Sequence, residues 1–114
     1  MPIAEKEFVL NHAYNRWQYN RKRNIGPTSA TIRIVKPSSL EEWETYFFSN
    51  MCSKTRMVEF GRQLYQHVSQ DLPSEMRFHP DLLASITEQD CIEYVFDVAI
   101  RRTYNGYARE RGYE

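Results

Sequence analysis

The residues best suited to chemistry are a run of cations, amides and aromatic rings near the start of the chain. Between Asn11 and Asn24 the sequence carries Arg, Lys, Asn, Gln, Tyr and Trp side chains. Arg and Lys neutralise phosphates, Asn and Gln pair with base edges, and aromatic rings stack on bases. The run therefore indicates contact with nucleic acid. The alternative interpretation is a solvated helix end whose cations complement the helix dipole.

The candidate DNA contacts fall into this run and into a second Arg- and Tyr-rich segment near residue 105. That second segment also fits the charged end of a helix. Tyr14 and Trp17 are left out, because their spacing places them on a buried stripe. The candidates are Asn15, Arg16, Arg21, Lys22, Arg23, Asn24, Thr28, Arg101, Arg102 and Arg109.

The lysines argue against a nuclease centre within this sequence. Metal-dependent nucleases commonly combine an acidic residue with an Asp/Glu-x-Lys pair, whose carboxylates hold Mg²⁺ and whose Lys steadies the phosphate or its water. The four lysines are preceded, two positions earlier, by Ala4, Asn20, Ile34 and Cys52. No catalytic residue and no metal ligand is assigned, so enzymatic activity is left open.

The histidines, cysteines and glycines predict no further site. His12, His67 and His79 stand apart from one another and from any ligand pattern. Cys91 falls on an apolar helix face and Cys52 has no neighbouring His, so neither is predicted to be a nucleophile. The four scattered glycines exclude a Gly-rich phosphate loop.

The elements that must position these residues are predicted to be mainly α-helical. Apolar residues recur at the helical period in four amphipathic segments, and the β-branched residues 31–35 favour at most one short strand. The predicted helices cover residues 4–19, 38–49, 55–69 and 87–104.

Helix ends and one glycine give the sharpest local predictions. Ser38 with Glu41, and Thr87 with Asp90, have the spacing of a capping box. Asn105-Gly106 is expected to stop the fourth helix, because both residues tolerate a left-handed backbone. Gly61, inside the third helix, is expected to allow close helix packing.

Length and charge set the domain organisation. The 114 residues suit one small domain, and their net charge of zero divides into +5 for residues 1–36 and −5 for residues 37–114. We expect residues 1–36 to form a basic helix and loop that is compact with a helical body over 37–114. No apolar run approaches the roughly 20 residues of a membrane span, and no secretory signal is visible, so a cytoplasmic location is expected.

The order of the motifs resembles the N-terminal portion of the MjaI-type family of type II restriction endonucleases. The resemblance runs from about residue 11 to residue 110. It rests on Asn11-x-Ala13-x-Asn15, the Gly-Pro loop at 24–29, Leu40-Glu41-Glu42-Trp43, the third helix, and Arg102-Thr103-Tyr104-Asn105-Gly106-Tyr107.

The resemblance implies recognition and Mg²⁺-dependent cleavage of a short site in double-stranded DNA, within a restriction–modification system. The family's catalytic Asp and acidic-x-Lys element would lie further downstream. We therefore expect a truncated, DNA-contacting front part that is inactive alone, with a downstream catalytic portion or a second copy as its protein partner. Glu110 is the one candidate metal-associated acid, and Arg111 stands where the family has Glu.

A second hypothesis is a small helical protein-interaction module. Its partner would use carboxylates from the acidic part of the chain. These are Glu41, Glu42, Glu44, Glu88, Asp90, Glu93 and Asp97.

Overall fold

A computed structural model of the chain describes residues 3–21, 29–70 and 80–112, and the side chains within 6–18, 31–70 and 81–112. Over these ranges the chain is helical apart from short connections and contains no strand, which confirms the predicted mainly α fold. The helices are α1 (Ile3–Arg21), α2 (Ser29–Val35), α3 (Leu40–Asn50), α4 (Lys54–Gln70), α5 (Pro80–Ser85), α6 (Glu88–Phe96), a π-helical turn (Asp97–Arg102) and α7 (Thr103–Glu110). No helix within these ranges is both long and apolar enough to cross a membrane.

The centre of the fold is the packing of α4 against α6. Gly61 makes this contact possible, because a Cβ atom at this position would lie 2.5 Å from the Cα atom of Ile92. Leu64 of α4 and Val95 of α6 are both fully buried beside it in the same core. The expectation that Gly61 allows close helix packing is confirmed.

Helix α1 lies across this pair with the stripe that its sequence predicts. Leu10, Ala13, Tyr14 and Trp17 are all buried. The ring of Trp17 meets Phe60 of α4 edge-on, and the ring of Tyr14 meets Tyr94 of α6 in the same way. The basic N-terminal helix is therefore anchored by its aromatic side chains, while Asn15 and Arg16 are exposed.

The cap of α3 lies one residue later than predicted. Ser39, rather than Ser38, is the N-cap, and its hydroxyl accepts a hydrogen bond from the Glu42 amide. The Glu42 carboxylate in turn accepts from the backbone N–H of Ser38. Because two serines precede two glutamates, the sequence pattern fits both registers, and the Ser38–Glu41 box is wrong. The helix buries Trp43 and Phe47 completely.

Residues 31–35 form part of helix α2, so the one short strand that their β-branched side chains allowed does not form. A lone strand would leave its backbone groups unpaired, whereas a helix satisfies them locally. The helix also separates the two isoleucines: Ile32 is 2% exposed and Ile34 is 80% exposed. In a strand both side chains would point to the same face.

The fourth predicted helix starts as expected but runs further. Thr87 and Asp90 form a complete capping box, which confirms the predicted start of α6. The stop predicted at Asn105-Gly106 is wrong, since the chain continues through the π-helical turn and α7, which buries Tyr107. The left-handed residue that follows the helix is Gly112, with φ +81°. Gly106 tolerates a left-handed backbone without requiring one.

Candidate nucleic-acid interface

Two distant parts of the chain meet at the side chain of Asn11. Its Oδ1 atom accepts a hydrogen bond from Arg102 Nη1 at 3.0 Å and another from the Tyr94 hydroxyl. The amide of α1 is therefore joined to α6 and to the π-helical turn. We call Asn11, Tyr94, Asp97 and Arg102 the junction cluster.

The π-helical turn places two arginines on one carboxylate. Arg102 Nε donates to Asp97 Oδ2 at 2.7 Å, and Arg101 Nη1 lies 3.6 Å from Asp97 Oδ1. In a π-helix the backbone hydrogen bonds run from i to i+5, so one turn contains more residues than a turn of α-helix. Arg102, five positions after Asp97, therefore lies on nearly the same side of the helix as Asp97. The hydroxyl of Thr103 donates to the Val98 carbonyl at 3.0 Å, across the same turn.

Three side chains of the junction cluster contact the guanidinium group of Arg102. Besides Asp97 and Asn11, the ring of Tyr94 lies beneath it, with its centroid 5.0 Å from the guanidinium carbon. Partial burial by itself would lower the pKa of Arg102, but the hydrogen bonds and charge interactions with Asp97 and Tyr94 together outweigh it and raise the pKa above its ordinary value. Burial raises the pKa of Tyr94, so its hydroxyl stays a donor at neutral pH.

The exposed polar side of α1 extends from this cluster. Asn15 is exposed and lies one helical turn beyond Asn11, so it is on the same side as the junction cluster. Arg16 is also exposed, but five residues of helix rotate it about 140° away from Asn11. Asn15 therefore shares a side of α1 with Asn11, the residue that Arg102 contacts, whereas Arg16 lies on another side of the helix.

The other candidate contacts are distributed as follows. The side chains of Arg101 and Arg102 are 68% and 41% exposed. Arg109 is exposed on α7. Arg21 ends α1, but its side chain lies outside the described part of the chain, as do Lys22, Arg23, Asn24 and Thr28.

Sequence reasoning did not identify Asn11, Tyr94 and Asp97 as residues of a DNA contact, although Asp97 belongs to the acidic set considered for a protein partner. Asn11 and Asn15 are four residues apart, a spacing that signals a shared helix face. For Asp97 no signal was available, because its distance of five residues from Arg102 falls on different faces of an ordinary α-helix.

The carboxylates near this surface do not fit a Mg²⁺ site. The ion needs several free oxygen ligands, and the described residues contain no group of three or more His, Cys, Asp or Glu side chains that could hold a metal. Asp97 is occupied by two arginines. Glu110, the candidate metal-associated acid, binds Arg33 through two hydrogen bonds of 2.8 and 3.2 Å.

Ion pairs also engage part of the acidic set considered for a protein partner. Asp90 lies 3.4 Å from Lys6 Nζ, and Glu88 lies 3.3 Å from Arg62 Nε. The buried thiol of Cys91 is likewise unsuited to chemistry, because burial, with help from Asp90 and Glu88, raises its pKa to about 12.

Comparison with known proteins supports the family resemblance. Residues 7–112 match the family model described as MjaI restriction endonuclease. Neither the curated proteins nor the solved structures contain a significant match to the chain. The matched range includes α1 from residue 7 onward, the junction cluster and α7.

Proposed function

Because the chain belongs to the MjaI restriction endonuclease family, we propose that it contacts double-stranded DNA through α1 and the π-helical turn. The observation that carries this proposal is the junction cluster, where Arg102 of the turn bonds to Asn11 of α1 and shares Asp97 with Arg101. The exposed Asn15 follows Asn11 by one helical turn. The arginines would bind backbone phosphates, and Asn15 would contact phosphate or a base edge.

The charge of the turn supports binding to phosphate. Asp97 neutralises only one of the two guanidinium groups that it holds, so a positive charge remains at an exposed position. Arg102 is already fixed by Asp97, Asn11 and the Tyr94 ring, so less side-chain freedom is lost when it binds. The cations and amides at 21–28, with Arg109, are proposed to extend the contact along the DNA, whereas Arg16 lies on another side of α1 and is left out of it.

The role proposed for these 114 residues is DNA contact rather than cleavage. Asp97 and Glu110 are both occupied by arginines, and no lysine of the sequence stands two positions after an acidic residue. Incubation of the protein with supercoiled plasmid and Mg²⁺ tests this part of the proposal. Specific plasmid cleavage that depends on Mg²⁺ would refute it.

The DNA-contact proposal predicts a strong salt dependence of binding to a fluorescein-labelled mixed-sequence duplex. The logarithm of the binding constant should fall with the logarithm of salt concentration by roughly 0.9 for each phosphate contact. Replacing both Arg101 and Arg102 with Ala should therefore reduce the slope by up to about 1.8. The triple change at Arg21, Lys22 and Arg23 should reduce it by up to about 2.7. Fluorescence anisotropy at several NaCl concentrations measures both slopes.

Arg62→Ala is the matched control, because it removes an exposed guanidinium that lies on α4 and pairs with Glu88. This variant should keep the salt slope of the unmodified protein. Reductions of the slope in proportion to the number of charges removed, in Arg62→Ala as in the other two variants, would show a response to net charge alone. Unchanged binding in the Arg101/Arg102 variant would show that the π-helical turn does not contact DNA.

A further inference from the structure

A groove follows α6, bordered by α3 and α4 on one side and by α1 on the other. It encloses about 1030 Å³. On the side of α3 and α4 its floor consists of half-buried apolar side chains. These are Leu40, Val58, Ile92 and Phe96. We call this surface the α6 groove.

The floor has the spacing that suits a helix as a ligand. Ile92 and Phe96 are one turn apart on α6, and Ile100 continues the row on the π-helical turn. Leu40 lies opposite them on α3. Amphipathic helices bind such grooves with apolar residues that recur at three- and four-residue intervals.

The charges around the α6 groove favour a basic ligand. Four cations that line the groove share three carboxylates, since Lys6 pairs with Asp90, Arg62 pairs with Glu88, and Arg101 and Arg102 both pair with Asp97. One positive charge therefore remains at the π-helical turn. Three further carboxylates line the groove, and none of them has an ion pair within the described residues. These are Glu7, Glu44 and Glu93.

We infer that the α6 groove docks a basic amphipathic helix of a partner protein. The apolar side of that helix would cover Ile92 and Phe96, and Lys or Arg side chains at its flanks would meet Glu44 and Glu93. Arg101 and Arg102 of the proposed DNA contact also line this groove, at the π-helical turn. The docked helix would therefore lie over the part formed by α3, α4 and α6, where Glu44 and Glu93 repel phosphates. The inference does not rest on the proposed function.

A synthetic helical peptide of Leu and Lys, about four turns long, tests the docking site. Its Leu residues are placed on one face and its Lys residues on the other. Binding is measured by fluorescence anisotropy, and the position of the peptide by changes in the amide NMR spectrum. We expect binding with the largest spectral changes in α3, α4 and α6 around the groove floor. The double variant Glu44→Gln/Glu93→Gln should bind the peptide about 3- to 10-fold more weakly.

Glu41→Gln is the matched control, because Glu41 is exposed on α3 and faces a neighbouring recess instead of the α6 groove. It should leave peptide affinity unchanged, and a peptide with Glu in place of Lys should not bind.

Equal weakening by Glu41→Gln, or spectral changes outside the groove, would overturn the inference. Displacement of the peptide by duplex DNA would identify the groove as a nucleic-acid site, and self-association that buries the groove would identify a second copy as its occupant. Either result would also overturn the inference.

Discussion

At residue 61 the absence of a side chain sets the distance between α4 and α6. A methyl group there would lie 2.5 Å from the Cα atom and 2.6 Å from the Cγ1 atom of Ile92. The first of these neighbours is backbone and cannot rotate away, so the helices would have to move apart. We expect Gly61→Ala to lower the free energy of unfolding by about 1–3 kcal/mol, as overpacked cores do. Urea unfolding followed by circular dichroism measures the change.

Gly106→Ala provides the control, because it makes the same change inside α7, where nothing lies within 4 Å of the added atom. This variant should be more stable by about 0.5–1 kcal/mol, since Ala has the higher helix propensity. A gain of stability in both variants would show that α4 and α6 do not approach closely at Gly61.

The burial or packing of an individual residue could be predicted where it follows from neighbouring residues in the sequence. The helical spacing of Leu10 and Trp17 was sufficient to place both in the core, and Gly61 inside an apolar stripe was sufficient to predict a close approach. The bond between Asn11 and Arg102 was not predictable, because these residues are 91 positions apart. Their meeting depends on how α1 lies across α6, which no local pattern specifies.

At the level of elements, the N-cap residue of a helix was predicted correctly where the sequence allows only one position for the capping box. Thr87 and Asp90 form the box that their spacing indicates, whereas the adjacent serines before α3 left two registers open. The β-branched residues 31–35 show the limit of propensity, since burial of Ile32 in a helix outweighed their preference for a strand. The π-helical turn has no sequence signature, so the shared carboxylate of Arg101 and Arg102 could not be anticipated.

The start of α6 makes part of the stability dependent on pH. Burial would raise the pKa of Asp90, but hydrogen bonds from Thr87 and the charge of Lys6 lower it below its ordinary value of 3.8. A carboxyl group with a lowered folded-state pKa stabilises the fold above its unfolded-state pKa, and this contribution is lost as the pH falls through the folded-state value. Asp90→Asn should therefore be less stable than the unmodified protein at pH 6, and the difference should shrink below about pH 4. Urea unfolding at both pH values measures this change.

The variant Thr87→Ala measures the contribution of the capping hydroxyl to stability separately from that of the Asp90 charge. It removes the hydroxyl that accepts from the Asp90 amide and should cost about 1 kcal/mol, a loss that remains in part at low pH. If Asp90→Asn lowered the free energy of unfolding by the same amount at pH 6 and at pH 3, the ionised carboxylate would not contribute to the cap.

For the whole molecule, ion pairs determine the charge of the surfaces more than they stabilise the fold. The core is a continuous cluster of apolar and aromatic side chains that draws on α1, α3, α4 and α6. The ion pairs of the described residues lie at exposed or half-exposed positions, where each contributes little to stability. Their arrangement leaves a positive charge at the π-helical turn and a negative charge along the α6 groove.

This arrangement predicts that salt separates folding from DNA binding. Salt screens exposed charges over about 10 Å at 0.1 M, while burial of the apolar core does not depend on such charges. Raising NaCl from about 0.05 to 0.2 M should weaken binding to the mixed-sequence duplex by at least tenfold if two or more phosphates are contacted. The thermal midpoint of unfolding should change by less than about 5 °C over the same range. Anisotropy titrations and circular dichroism melts on the same samples test both expectations. A midpoint that fell in step with DNA affinity would mean that the ion pairs, rather than the apolar core, hold the helices together.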